Sequence, residues 1–186
     1  MAGAHSSLIL AKLNTPILRR YVYREVMLNY RYLFLKELPF FGLLAFLTTK
    51  IITGFYIFIH NLMVVEQWPY SLVFRNQNIT KNLENLISPI ILAPVFETLI
   101  FCVIVSRLCK KLKITAYYFI FISSALFATS HLLGSGKGWY AFSYTFVGGV
   151  IFSYFYNKQN EKHGENLAYF YTALVHSISN GLNAYI

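Results

Sequence analysis

Six side chains with the chemistry to bind an ion or move a proton lie in otherwise apolar stretches: Lys50, His60, Glu97, His131, His176 and Asn180. A charged group at mid-membrane costs roughly 2.5–3.5 kcal/mol on insertion scales, so an ionisable residue there calls for a function or a partner. Glu97 is the only acid near the centre of its stretch. His131 lies towards the end of the next one. His176 is midway along the last, with Asn180 four residues on and so on the same helical face. A carboxylate and two imidazoles from three helices support two chemistries. The carboxylate can act as general base on a water while imidazole and amide donors stabilise an oxyanion, which together amount to peptide hydrolysis. Alternatively, Glu97, His131 and His176 bind a divalent metal such as zinc, with water in an open position. A hydrolytic zinc site wants a further base, and no second intramembrane acid is available, which favours the metal-free version. There is no His-Glu-x-x-His, Gly-x-Ser-x-Gly or Gly-x-Gly-Asp string and no Asp at all, which argues against zincin, serine-hydrolase and aspartyl-protease routes.

The elements that must hold these groups follow from composition. Of 186 residues, 56% are apolar and 12% charged, where a soluble domain is about 25% charged. The formal charge of +9 would suit a nucleic-acid binder, but such a protein would not also be this apolar. Disorder is excluded on the same grounds. The expected fold is an all-α polytopic transmembrane bundle of about five spans plus an N-terminal amphipathic interfacial helix. The expected spans are 38–64, 86–106, 114–133, 139–156 and 167–186, the first overlong and the fourth short against the 20 residues or so that crossing requires. Residues 65–85 are long enough for a loop or re-entrant piece. The two cysteines, Cys102 and Cys109, fall on one predicted helix about 10 Å apart, too far for a disulfide.

Lys and Arg set the orientation. The arm 1–37, the 107–113 connector and the 157–166 connector hold twelve, against three (Arg75, Lys81 and Lys137) on the opposite side. The positive-inside rule then puts the N-terminus in the cytoplasm and the C-terminus outside, with a bacterial inner membrane as the expected location. In the arm, Thr15 and Pro16 read as a helix start. Arg20, Arg24 and Arg31 share one face, opposite Leu18, Val22, Val26 and Leu33, which is the pattern of a helix lying in the headgroup layer. The expected division is an arm, 1–37, and a transmembrane bundle, 38–186.

Three strings carry a resemblance. Ala93-Pro94-Val95-Phe96-Glu97-Thr98-Leu99-Ile100-Phe101-Cys102 resembles the first motif of the CPBP family, the type II CAAX prenyl endopeptidases and the bacteriocin-processing or Abi-type membrane proteins. Phe127-Ala128-Thr129-Ser130-His131 resembles the second, Phe-x-x-x-His, and His176-Ser177-Ile178-Ser179-Asn180 the third, His-x-x-x-Asn. They occur in the family's order, one to a span, within a CPBP-like core of about 86–186. The resemblance implies an intramembrane endopeptidase. Glu97 would activate water, His131 would orient it, and His176 and Asn180 would stabilise the oxyanion. It leaves open a glutamate-dependent or a metallo mechanism. Thr98 and Cys102 stand where the family's first motif has a second glutamate and an arginine. Losing both is physically coherent, because losing one would leave a charge unpaired in low dielectric.

The implied partners are a peptide or protein substrate at the membrane and the bilayer itself, with no nucleic acid. Two rival readings fit the same residues. One is a catalytically inactive binding or immunity protein on this fold, to which Thr98 and Cys102 point. The other is a small transporter or structural subunit built round a Lys50–Glu97 pair, since the two lie at comparable depths in their spans. Gly148-Gly149 and Ser123-Ser124 are expected to permit close helix contact.

Overall fold

The computed structural model describes residues 24–25, 27–28, 31–63, 87–135 and 138–185. The expected loop 65–85, and Thr15, Pro16 and Arg20 of the N-terminal arm, lie outside them, as does the side chain of His60. The chain divides into two units, Met1–Leu38 and Pro39–Ile186. In the first, the described residues are helical, end in a π-turn over Leu33–Glu37, and carry Lys36 Nζ over the ring of Tyr32.

The second unit is built from α1 (Leu38–Met63), α2 (Ser88–Lys111), α3 (Ala116–Ser135), α4 (Gly138–His163) and α5 (Glu165–Tyr185), with no strand among the described residues. Among those residues, three stretches are long and apolar enough to cross a membrane: Leu35–Ile59, Ser88–Lys111 and Ala116–Leu133. The helices α4 and α5 are equally long but less apolar, because they bury polar side chains against other helices rather than facing lipid. Ser153, Gln159, Thr172, His176 and Ser179 are all buried. Thr48, Thr49 and Thr53 of α1 return their hydroxyls to carbonyls one turn back, which satisfies them without a partner helix.

The fourth element departs from expectation. A span of 139–156 followed by a ten-residue connector is replaced by one helix running to His163, and the connector shrinks to Gly164. The polar run 157–163 stays helical, aided by Asn157 Nδ2 donating to Glu161 Oε1 one turn on. Gly164 then turns the chain at φ 81°, a conformation that glycine adopts without cost. The α2–α3 connector is equally tight. Ile114 N–H donates to Cys109 O and Lys113 N–H to Lys110 O, with Lys113 left-handed at φ 56°, a Schellman closure.

Small residues let the helices approach. A β-carbon on Gly149 would stand 2.9 Å from Ser124 Cα, so α3 and α4 touch backbone to backbone, as the small-residue pairs predict. Gly42 seats α1 against α5 in the same way, with Ile178 Cγ2 2.6 Å from where its β-carbon would be. Tyr56 and Ser143 share a hydrogen bond of 2.7 Å between α1 and α4, and Phe41 packs on Phe155. Towards the α2–α3 and α4–α5 turns, Cys102, Val103, Val105, Cys109, Phe119, Tyr156 and Ala168 form a dry cluster. Both cysteines are free and buried there.

Candidate active site

α2 is not a uniform helix, and its irregularities fall around Glu97. It opens with a π-helical turn, Ser88–Leu92, continues α-helical over Ala93–Glu97, widens again over Thr98–Ile104 and closes as Val105–Lys111. Pro94 explains part of this, since it has no N–H to continue the ladder. Wide turns of this kind cluster at functional sites. Glu97 is the last residue before the second wide turn.

His131 and His176 meet Glu97 from α3 and α5. The His131 Nε2 atom is 3.7 Å from Glu97 Oε1, and the His176 Nε2 atom is 3.4 Å from Glu97 Oε2. Each oxygen of the carboxylate therefore faces its own imidazole. These separations exceed a good direct hydrogen bond, yet one water can touch both members of either pair. The differing depths suggested by the span ends thus vanish in three dimensions, because helix ends in sequence do not fix how far one helix slides along another.

Backbone and aromatic contacts hold the imidazoles. His131 Nδ1 donates to the Phe127 carbonyl at 3.0 Å and Nε2 is directed at Glu97, so in a neutral imidazole the lone pair sits on Nε2. Ser130 Oγ donates to the same carbonyl at 2.7 Å. His176 is 4% exposed, stacked on Phe152 at 4.3 Å and met edge-on by Phe127. Phe127 therefore touches both histidines through its ring and fixes one through its carbonyl. Phe152 has no counterpart in the sequence reading. No spacing rule marks a phenylalanine as a histidine's stacking partner.

Beside Glu97 lies a narrow cleft lined by Thr98, Phe101, Cys102, Ser123, Phe127, Gly149, Phe152, Ser153 and His176. Thr98 and Cys102, which replace the charged pair of the first motif, both face this cleft. Each is buried, and the Thr98 hydroxyl has no hydrogen-bond partner among the described residues. Behind them, Ser123 Oγ donates to Phe101 O at 2.7 Å and lies 2.6 Å from Ser153 Oγ. A hydroxyl has one proton, so Ser153 is the donor of that second bond.

Lys50 departs from expectation, and Asn180 has a partner that its expected role did not include. The Asn180 amide gives one of its two N–H groups to the backbone of α2, with Nδ2 donating to Pro89 O at 2.9 Å. Lys50 is exposed, with its ammonium 5.2 Å from the Phe46 ring centre, and makes no ion pair with Glu97. Its helical position turns it outward, which removes the basis for a Lys50–Glu97 core. The two imidazoles approach different carboxylate oxygens, and among the described residues no three His, Cys, Asp or Glu side chains form a metal-holding group.

The site is thus a glutamate between two histidines on separate helices of an all-α membrane bundle. The family model for type II CAAX prenyl endopeptidase Rce1-like proteins matches residues 79–182, more than half of the chain. The chain belongs to that family, and is an integral membrane protein of a CAAX-type intramembrane protease lineage. No curated protein and no solved structure is similar enough to match it.

Proposed function

We propose that this chain is a glutamate-dependent intramembrane endopeptidase, hydrolysing a peptide bond in a membrane-associated protein or peptide. The observation that carries the reading is the Glu97 carboxylate flanked by His131 at one oxygen and His176 at the other.

Glu97 takes a proton from a water that the bare Nε2 of His131 orients, and the resulting hydroxide adds to the scissile carbonyl carbon. His176, rigid between two phenyl rings, donates from Nε2 to the oxyanion. Collapse of the intermediate breaks the C–N bond, and Glu97 passes its proton to the departing amine. The Thr98 hydroxyl, buried at the cleft wall, gives the water a further partner. General-base catalysis of this kind is worth about 10²–10⁴-fold. The substrate segment reaches the cleft from the bilayer, with the N-terminus of the enzyme cytoplasmic and a bacterial inner membrane as its location.

A second reading, a binding or immunity protein that keeps the fold without catalysis, is favoured by one observation: the neutral Thr98 and Cys102 in place of the charged pair. A single comparison separates the two. Membrane-protein termini are mapped in cells carrying wild type or Glu97→Gln, after both proteins are shown to be equally expressed and equally heat-stable in detergent. Termini present only with wild type identify proteolysis and the substrate together. Identical termini refute the protease reading in favour of the second. Purified enzyme that keeps its activity through prolonged chelation supports the metal-free chemistry, and activity lost and restored by zinc overturns it.

A further inference from the structure

We infer that Asn180 is a positioning residue that stands in for a backbone donor missing from α2. In an α-helix, Pro89 O would accept from the N–H of residue 93; in a π-helix, from that of residue 94. Neither donor is available. The Ala93 N–H is committed to Ser88 O, five residues back. Residue 94 is proline and has no N–H. Pro89 O is therefore left without an intrahelical partner at the start of the helix that carries Glu97. The Asn180 amide supplies the missing hydrogen bond from α5 at 2.9 Å.

The consequence for the site is geometric. Asn180 lies one turn beyond His176 on α5, and Pro89 lies two turns before Glu97 on α2. The bond joins the two helices at the end nearer the start of α2, one turn along α5 and two turns along α2 from the His176–Glu97 approach of 3.4 Å. Nearer the start of α5, Tyr169 OH donates to Val95 O, so α5 is fastened to the α2 backbone at two points that both precede Glu97. Loss of the Asn180 clamp lets the first turns of α2 reset, and Glu97 moves relative to His131 and His176.

The catalytic half of this inference rests on the protease reading, whereas the clamp itself does not, and the experiment keeps them apart. It uses four full-length proteins in detergent: wild type, Asn180→Ala, Pro94→Ala and the double variant. Pro94→Ala restores an N–H at that position, which can serve Pro89 O, and its own packing cost cancels in the cycle. Three readouts are taken: Tm, the kcat and KM of cleavage, and the pH midpoint of the Glu97 carboxyl infrared band, assigned by difference against Glu97→Gln.

The expected result is a loss of about threefold to tenfold in kcat for Asn180→Ala with little change in KM, the size one interhelical hydrogen bond allows. That loss, the fall in Tm and the displaced carboxyl midpoint should all shrink when Pro94 is also replaced. An equal kcat loss in both backgrounds, without coupling in Tm, overturns the inference and makes Asn180 a substrate donor. Coupling in Tm with kcat and midpoint unchanged also overturns it, since the bond would then be structural only. Coupling in Tm and midpoint when none of the four cleaves supports the clamp and refutes the protease reading. If Pro94→Ala does not fold, Asn180→Gln and Asn180→Asp decide. The inference expects the amide, but not the carboxylate, to keep the Glu97 midpoint, and the reverse order overturns it.

Discussion

Two adjacent glycines in α4 should respond to the same substitution with opposite signs. Alanine in a helix interior is favoured over glycine by roughly 0.5–1 kcal/mol, so Gly148→Ala and Gly149→Ala begin with the same gain. Their surroundings differ. At position 148 the new β-carbon meets only Phe152 Cε2 at 3.8 Å, an ordinary contact. At position 149 it would meet Ser124 Cα at 2.9 Å, Phe127 Cδ1 at 3.1 Å and Ser124 Cβ at 3.2 Å. The nearest of these is backbone, so a rotamer change cannot relieve it and α3 must retreat. Overpacking of this kind costs about 1–3 kcal/mol. Because the propensity gain is common to both, that cost is also the expected difference between the two variants. At about 2–4 °C per kcal/mol for a chain of this size, Gly148→Ala should melt about 1–4 °C above wild type. Gly149→Ala should melt about 2–12 °C below Gly148→Ala. Thermal unfolding of the purified proteins in one detergent measures both. Since Phe127 touches His131 and His176, only Gly149→Ala should also slow cleavage. A Gly149→Ala protein as stable as Gly148→Ala would refute the backbone contact between α3 and α4, and with it the placement of Phe127 at the site.

Two further outcomes follow from the hydrogen bonds. Ser123→Ala leaves both Phe101 O and the Ser153 hydroxyl without their partner, whereas Ser153→Ala removes one donor from a Ser123 oxygen that keeps its bond to Phe101 O. A buried polar group left unpaired costs about 1–3 kcal/mol, so Ser123→Ala should lower Tm more than Ser153→Ala; the opposite order would refute the assigned direction. At the α4–α5 turn, the Arg107 guanidinium donates to Glu165 and holds its carboxyl below the usual carboxylate range. A lowered folded-state value means the stabilisation is present above the unfolded carboxyl's pKa of about 4.3 and disappears as pH falls through the folded value. The Tm difference between wild type and Glu165→Gln should therefore be positive at neutral pH, shrink with salt and decline as pH falls from about 4.3 through the lowered folded value. A difference that persists in acid would mean that the pair is not its source.

Much of this protein was legible in one dimension, for reasons that are local. Apolar runs of membrane length and scarce charge specify a helical membrane protein, because only helices and closed barrels satisfy the backbone in lipid. Glu97, His131, His176 and Asn180, in order on three helices, stood out as candidates, since a polar group in such a helix is expensive wherever it points. Gly149 and Ser124 announced a close contact through side-chain size alone. Tertiary structure decided the rest. Two π-turns and Pro94 break the periodicity of α2, so helical spacing could not say which face Glu97 takes. Relative sliding of helices, which no span boundary encodes, brought His131 level with Glu97. Lys50 turned outward, and Asn180 found the backbone of α2, because a carbonyl orphaned by a proline is visible only once the hydrogen-bond ladder is drawn in three dimensions.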